Sequence, residues 1–150
     1  NLKNIISAIN QMAEEITFVF PMHPRTKKII EENTISLHGN IKIISPQSYL
    51  IFLGLMENCK FIISDSGSIQ EEAVALNKPC LIPRDETEWT RLTDLGKNIL
   101  MGTETGTIIK TIRKLLDEIE LQKIKKIPYL IESGASQRVI EIIKKIPTIE

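Results

Sequence analysis

At 150 residues, 42% of them hydrophobic, the chain is long enough to bury one sizeable core and too short for two ordinary domains, so a single domain over residues 1–150 is expected. Its 19 basic and 19 acidic side chains cancel, which leaves no net field to draw it onto nucleic acid or an anionic membrane. No apolar run approaches the roughly 18 to 20 residues that span a bilayer, and the opening NLKNIISAINQMAEE lacks the apolar centre and cleavage site of a signal peptide, so a cytoplasmic location is expected.

The first predicted element is a helix, since Leu2, Ile5, Ile6, Ile9, Met12, Ala13 and Ile16 recur at helical spacing; Thr17 to Phe20 then reads as a short buried strand. A chain that opens on Asn1 and runs at once into such a helix is expected to have lost a strand upstream. A basic helix from about Thr26 to Glu32 follows, then a turn at Gly39-Asn40 and a strand over Ile41 to Ile44. The helix Gln47 to Asn58 leads to the strand Phe61 to Ser64, and the helix Ser68 to Leu76 ends at Asn77, a candidate left-handed cap, before the strand Pro79 to Ile82. Glu86 to Leu95 is predicted helical, Asn98 to Met101 a fifth strand, Thr107 to Asp117 an amphipathic helix, and a last helix is expected near Ala135 to Ile146. Continuously apolar strands separated by helices favour a parallel sheet covered on both faces, which is a doubly wound, Rossmann-like α/β fold. Cys59 and Cys80 lie beside apolar stretches without metal-type spacing and are read as buried thiols.

In such sheets ligands bind beyond the carboxyl ends of the strands. Those exits are polar here: Pro21-Met22-His23-Pro24-Arg25, Asp65-Ser66-Gly67-Ser68, and Pro83-Arg84-Asp85-Glu86-Thr87-Glu88. The run Ser64 to Glu72 has the form of a phosphate cradle, a strand, a tight small-residue turn and a helix start, where Gly67 permits close backbone approach and the helix amides favour an anion. Ser66 is either a helix cap or a ligand hydroxyl. Glu72 is either an acceptor for a ribose diol or a complement to the helix dipole.

His23 is a candidate phosphate or acid/base group as well as a structural loop histidine, and Arg25, Lys27 and Lys28 near it are explained equally well by a basic surface face. Arg84 is open to two readings, a salt-bridged loop or a substrate contact. Trp89 and Phe52 are by default core residues.

Taken in order, these motifs resemble the non-hydrolysing UDP-N-acetylglucosamine 2-epimerases of the glycosyltransferase-B fold. Pro21 to Thr26 resembles that family's Pro-x-His segment, Pro46-Gln47-Ser48-Tyr49-Leu50 its Pro-Gln-x-Tyr-Leu segment, and Ser64 to Glu72 its Asp-Ser-Gly-Gly-Ile-Gln-Glu-Glu signature. Asn77-Lys78-Pro79, the run Arg84 to Trp89, and the tail Pro128-Tyr129 with Gly134 to Arg138 extend the likeness.

The resemblance implies that Ser66, Gly67 and Ser68 meet a diphosphate, that Glu72 holds the ribose hydroxyls, that Phe52 lies near the uracil, and that His23 falls near the interdomain cleft, where Arg84 is a further candidate contact. It implies UDP and a UDP-N-acetylhexosamine as ligands, an N-terminal partner domain supplying the groups that move the C2 proton, and a chain inactive by itself. A homodimer is one expected assembly of the full-length protein, and no metal or redox cofactor is implied. Two positions depart from the pattern: Ser68 stands where a second glycine is commoner, and Trp89 replaces the arginine of many bacterial members.

Two other functions stay open on the sequence. One is the nucleotide-sugar half of a glycosyltransferase of the same architecture; the other is a stand-alone sensor or binding module, with Asp65 as phosphoacceptor or with the domain reporting nucleotide levels.

Overall fold

Cys80, Leu81 and Ile82 are fully buried, and the rest of the chain is layered around them. The structure is a computed structural model that describes residues 2–127 and 134–145. In chain order the elements are α1 (Leu2–Met12), β1 (Phe18–Pro21), α2 (Pro24–Glu32), β2 (Ile41–Ile44), α3 (Tyr49–Asn58), β3 (Ile62–Ile63), α4 (Gly67–Ala75), β4 (Cys80–Ile82), α5 (Thr90–Asp94), β5 (Asn98–Leu100), α6 (Thr105–Leu116), α7 (Glu118–Lys125) and α8 (Ala135–Ile143). All strand pairs are parallel, as the buried, non-alternating strands lead one to expect.

The ladder is divided, however, into a β1–β2 pair and a β3–β4–β5 trio rather than one continuous sheet. The two pieces meet through side chains: the Phe18 and Phe61 rings pack edge to face with centroids 6.5 Å apart, a favoured aromatic geometry. Because successive residues of a strand point to opposite faces, Leu81 enters a cluster with α1 and α6 (Ala8, Met12, Ile108, Ile112, Leu115), while Cys80 and Ile82 enter one with Met56 of α3 and Ala73 of α4. Helices therefore cover both faces, the doubly wound arrangement. A third cluster, Ile6, Met22 and Ile30, joins α1 and α2 to the first pair of strands.

Three stretches differ from the sequence expectation. The helix expected over Glu86 to Leu95 is confined to Thr90–Asp94, because the Thr87 hydroxyl accepts the Trp89 amide at 3.2 Å, a local bond that competes with the helix ladder. An additional helix, α7, follows an extended Asp117 and carries Glu118 and Glu120 in its first turn and Lys123 and Lys125 in its last, the arrangement a helix dipole favours. The last helix, expected near Ala135 to Ile146, ends at Ile143 with Lys144 as its C-cap, and the tail motif Pro128-Tyr129 lies outside the described residues.

Asn77 is left-handed, with φ 57°, as its role at the end of α4 suggests. Its side chain also has a partner: Oδ1 accepts the Lys97 ammonium at 2.6 Å. Lys97 is 1% exposed, and burial lowers its pKa from the usual lysine value.

Candidate functional site

The turn after β3 is built by hydroxyl and backbone bonds. Ser64 continues the ladder by donating its amide to Leu81 O at 3.1 Å, and its Oγ accepts the Ser66 amide at 3.2 Å. Ser66 is the N-cap of α4 in an extended conformation, and its carbonyl receives the Gln70 amide, yet its hydroxyl makes no capping bond. Of the two roles open to Ser66, the side-chain cap is thus excluded. The amides of Gly67, Ser68 and Ile69, at the start of the helix, point from its N-terminal end and attract anions.

Gly67 is not bordered by open space. A Cβ there would overlap the Trp89 indole at Nε1 and lie 3.0 Å from Cε2. Trp89 is half-buried and belongs to none of the three core clusters. The expectation of a core anchor is corrected: the ring is seated on the first residue of α4. It is held there through its backbone, since Thr87 Oγ1 accepts the Trp89 amide and donates to Gln70 Oε1 at 3.3 Å, which also accepts Asn98 Nδ2 at 3.4 Å.

Gln70 and Asn98 are 0% and 2% exposed. Sequence reading passed over Gln70, although the signal was present: it shares the buried face of α4 with Ala73 and Val74, at spacings of three and four, and a carboxamide on such a face needs a partner.

Glu72 lies about one and a half turns into α4. Its Oε2 is buried and, like Gln70 Nε2 and Asn98 Oδ1, has no hydrogen-bond partner among the described residues. An unpaired buried carboxylate oxygen in a folded chain is costly, so it marks a place where a donor is wanted.

Arg84, on the loop leaving β4, lies 3.5 Å from Asp65 and 3.6 Å from Glu88, so its guanidinium ties the two strand exits together and the salt-bridged reading is the one observed. An open groove of about 700 Å³ runs along Pro83 to Glu88 and Thr103. Asp65, considered as a phosphoacceptor, is paired with that arginine, and among the described residues no group of three His, Cys, Asp or Glu side chains is placed to hold a metal ion.

His23 caps α2: its Nδ1 accepts the Arg25 amide at 3.2 Å. The basic face beside it is ion-paired along the helix, Lys27 with Glu31 and Lys28 with Glu32, both pairs exposed. Phe52, on α3, packs with Ile69 against the Met56, Ala73 and Ile82 cluster. The structure thus gathers Ser66, Gly67, Ser68 and Glu72 on one turn and helix, adds Trp89 and Arg84 at its edge, and leaves His23 on the separate exit of β1. Among the described residues no helix is long and apolar enough to cross a membrane.

Comparison with known proteins agrees in sequence and in shape. The family model described as UDP-N-acetylglucosamine 2-epimerase matches residues 1–144. A UDP-N-acetylglucosamine 2-epimerase of Methanococcus maripaludis is 40% identical over 121 residues, covering 77% of this chain and 33% of that protein. The crystal structure of the Neisseria meningitidis UDP-GlcNAc 2-epimerase bound to UDP-GlcNAc superposes with a TM-score of 0.78 at 38% identity, over 96% of this chain and 41% of that one. The Methanocaldococcus jannaschii UDP-GlcNAc 2-epimerase in complex with UDP-GlcNAc and UDP gives 0.81 at 37% identity, over 95% and 40%. The chain spans between 33% and 41% of the length of these relatives, and it belongs to the UDP-N-acetylglucosamine 2-epimerase family.

Proposed function

We propose that this chain is the nucleotide-binding part of an enzyme that interconverts UDP-N-acetylglucosamine and UDP-N-acetylmannosamine. The observation that carries the reading is the buried, unpartnered Oε2 of Glu72 on the same helix whose N-terminal end bears the uncommitted Ser66 hydroxyl. A uridine diphosphate supplies both complements: phosphate oxygens for the amides and hydroxyls of Ser66, Gly67 and Ser68, and ribose hydroxyls as donors for Glu72. Phe52 borders the base in this reading, and His23 and Arg84 stand at the mouth of the cleft.

Inverting C2 needs removal of its proton and return of a proton to the opposite face. In the proposed reaction the C2 proton is taken by a base, the C1–O bond breaks, and UDP departs with the electron pair to leave a 2-acetamidoglucal. UDP oxygen then adds back to C1 as C2 is protonated from the other side. The role of this chain is to hold the leaving group through both steps, so that the second follows without diffusion. The acid and base belong to a partner domain facing this one in the whole enzyme, and two such subunits form its dimer.

The test is turnover of UDP-N-acetylglucosamine. The full-length enzyme is expected to yield UDP-N-acetylmannosamine with no acceptor present, and the 150-residue chain is expected to bind UDP without turnover. Dependence of the full-length enzyme on an acceptor sugar would assign it instead to a glycosyltransferase.

A further inference from the structure

Resting on the phosphate-site reading above, we propose that Trp89 is a specificity-determining residue of the cradle, forming its wall against Gly67 and offering the indole Nε1–H as an uncharged donor to the nucleotide's diphosphate. The nitrogen edge of the ring meets the first residue of α4, since the Cβ that Gly67 lacks would fall on Nε1. Trp89 is half-buried and its Nε1 is not one of the buried, unpartnered polar atoms, so an incoming acceptor can reach it, at a helix end that attracts negative charge.

The ring is also fixed in advance. Its backbone amide is bonded to Thr87, Thr87 to Gln70, and Gln70 to Asn98, with the last two buried. A loop tip anchored to a buried carboxamide gives up little freedom when ligand arrives, so the donor is pre-positioned.

The donor is neutral where a cation would be the common choice for phosphate. The nearby guanidinium of Arg84 is engaged by Asp65 and Glu88, which leaves helix amides, serine hydroxyls and the indole as the groups that meet the ligand. Gly67 is then required twice over, by the backbone amide that meets phosphate and by the indole that occupies its side-chain space.

The chain contains a single tryptophan, so its emission reports Trp89 alone. UDP and uridine are titrated into the full chain, its Trp89→Phe variant, which keeps an aromatic ring and loses the N–H, and its Trp89→His variant, which restores a ring N–H. Expected are a saturable change of tryptophan emission with UDP in the parent and a five- to ten-fold loss of UDP affinity in Trp89→Phe, of the order of one hydrogen bond, or about 1 kcal/mol. Uridine binding should stay within about twofold, and Trp89→His should recover part of the UDP loss.

Equal losses for UDP and uridine, or unchanged UDP binding in Trp89→Phe, overturn the proposal. If the parent binds no UDP, the phosphate-site reading itself fails; if Glu72→Gln weakens UDP and Trp89→Phe does not, the site stands and only the role given to Trp89 falls. Should Trp89→Phe fail to fold by circular dichroism, Thr87→Val, which keeps the indole and removes the hydroxyl that holds its backbone, is read in the same way: a UDP-selective loss supports the proposal and none overturns it.

Discussion

Replacing Glu72 by glutamine should move two measurable quantities in opposite directions. Among the described residues Oε2 is buried without a partner, and an unsatisfied buried acceptor costs about 1–3 kcal/mol. The helix dipole does little to offset this, because its influence fades beyond about the first turn and Glu72 is the sixth residue of α4, counting from Gly67. Glutamine keeps the shape and drops the charge. Relief of part of the penalty should stabilise the free chain by about 0.5–1 kcal/mol, a rise in Tm of about 1–4 °C for a domain of this size.

Bound UDP reverses the balance. A hydrogen bond to a charged acceptor contributes about 1.5–3 kcal/mol, so losing the carboxylate should weaken UDP about 10- to 150-fold, while inorganic pyrophosphate, which lacks the ribose, should bind as before. Thermal denaturation of the free variant and calorimetric titration with both ligands give the three quantities. A lower Tm together with equal losses for UDP and pyrophosphate would refute the reasoning, since Glu72 would then be acting through the helix and not through the ribose.

Ser66→Ala tests the uncapped hydroxyl. Loss of a true cap costs about 1 kcal/mol, but no such bond is present, so urea-unfolding stability should change by less than about 0.5 kcal/mol while UDP affinity falls roughly five- to ten-fold; a large stability loss would contradict the geometry. Burial pushes the Cys80 thiol up from 9.0 to about 12, so above pH 9 the unfolded chain ionises there and the folded chain does not. The stability held at lower pH should therefore decline between pH 9 and 12 by about 1.4 kcal/mol per unit. Urea unfolding of the parent and Cys80→Ala between pH 8.5 and 10.5 should show the parent's advantage shrinking as pH rises, and parallel curves would refute it.

Local pattern carried most of the architecture: apolar runs located the five strands of the described residues, and the left-handed Asn77 followed from a small polar residue after a helical repeat. What local pattern could not carry was set at a distance. The loop from Glu86 to Trp89 has helical composition, but Thr87 is bonded to Gln70, 17 residues away, and Gln70 to Asn98, 28 residues away; periodicity within a window holds no trace of such bonds. The same holds for Trp89. An isolated tryptophan reads as core, and only the fold puts it against Gly67. The serine-rich turn and Glu72 were legible because strand, turn and helix start are consecutive, so their placement on one terminus follows from spacing alone. The likeness to the 2-epimerases added the chemistry that spacing does not contain.

The pairing of Lys97 with Asn77 narrows what protein engineering can do at the end of α4. By backbone conformation alone, glycine is the natural replacement at a φ of 57°, since it carries no Cβ to strain the left-handed region. Here that exchange would delete the oxygen that receives the Lys97 ammonium at 2.6 Å, and a hydrogen bond to a charged group contributes about 1.5–3 kcal/mol. A substitution table scored on torsion angles would therefore choose the wrong residue. The two positions behave as a single design variable, with Lys97 exchanged for an apolar residue before Asn77 is free to become glycine.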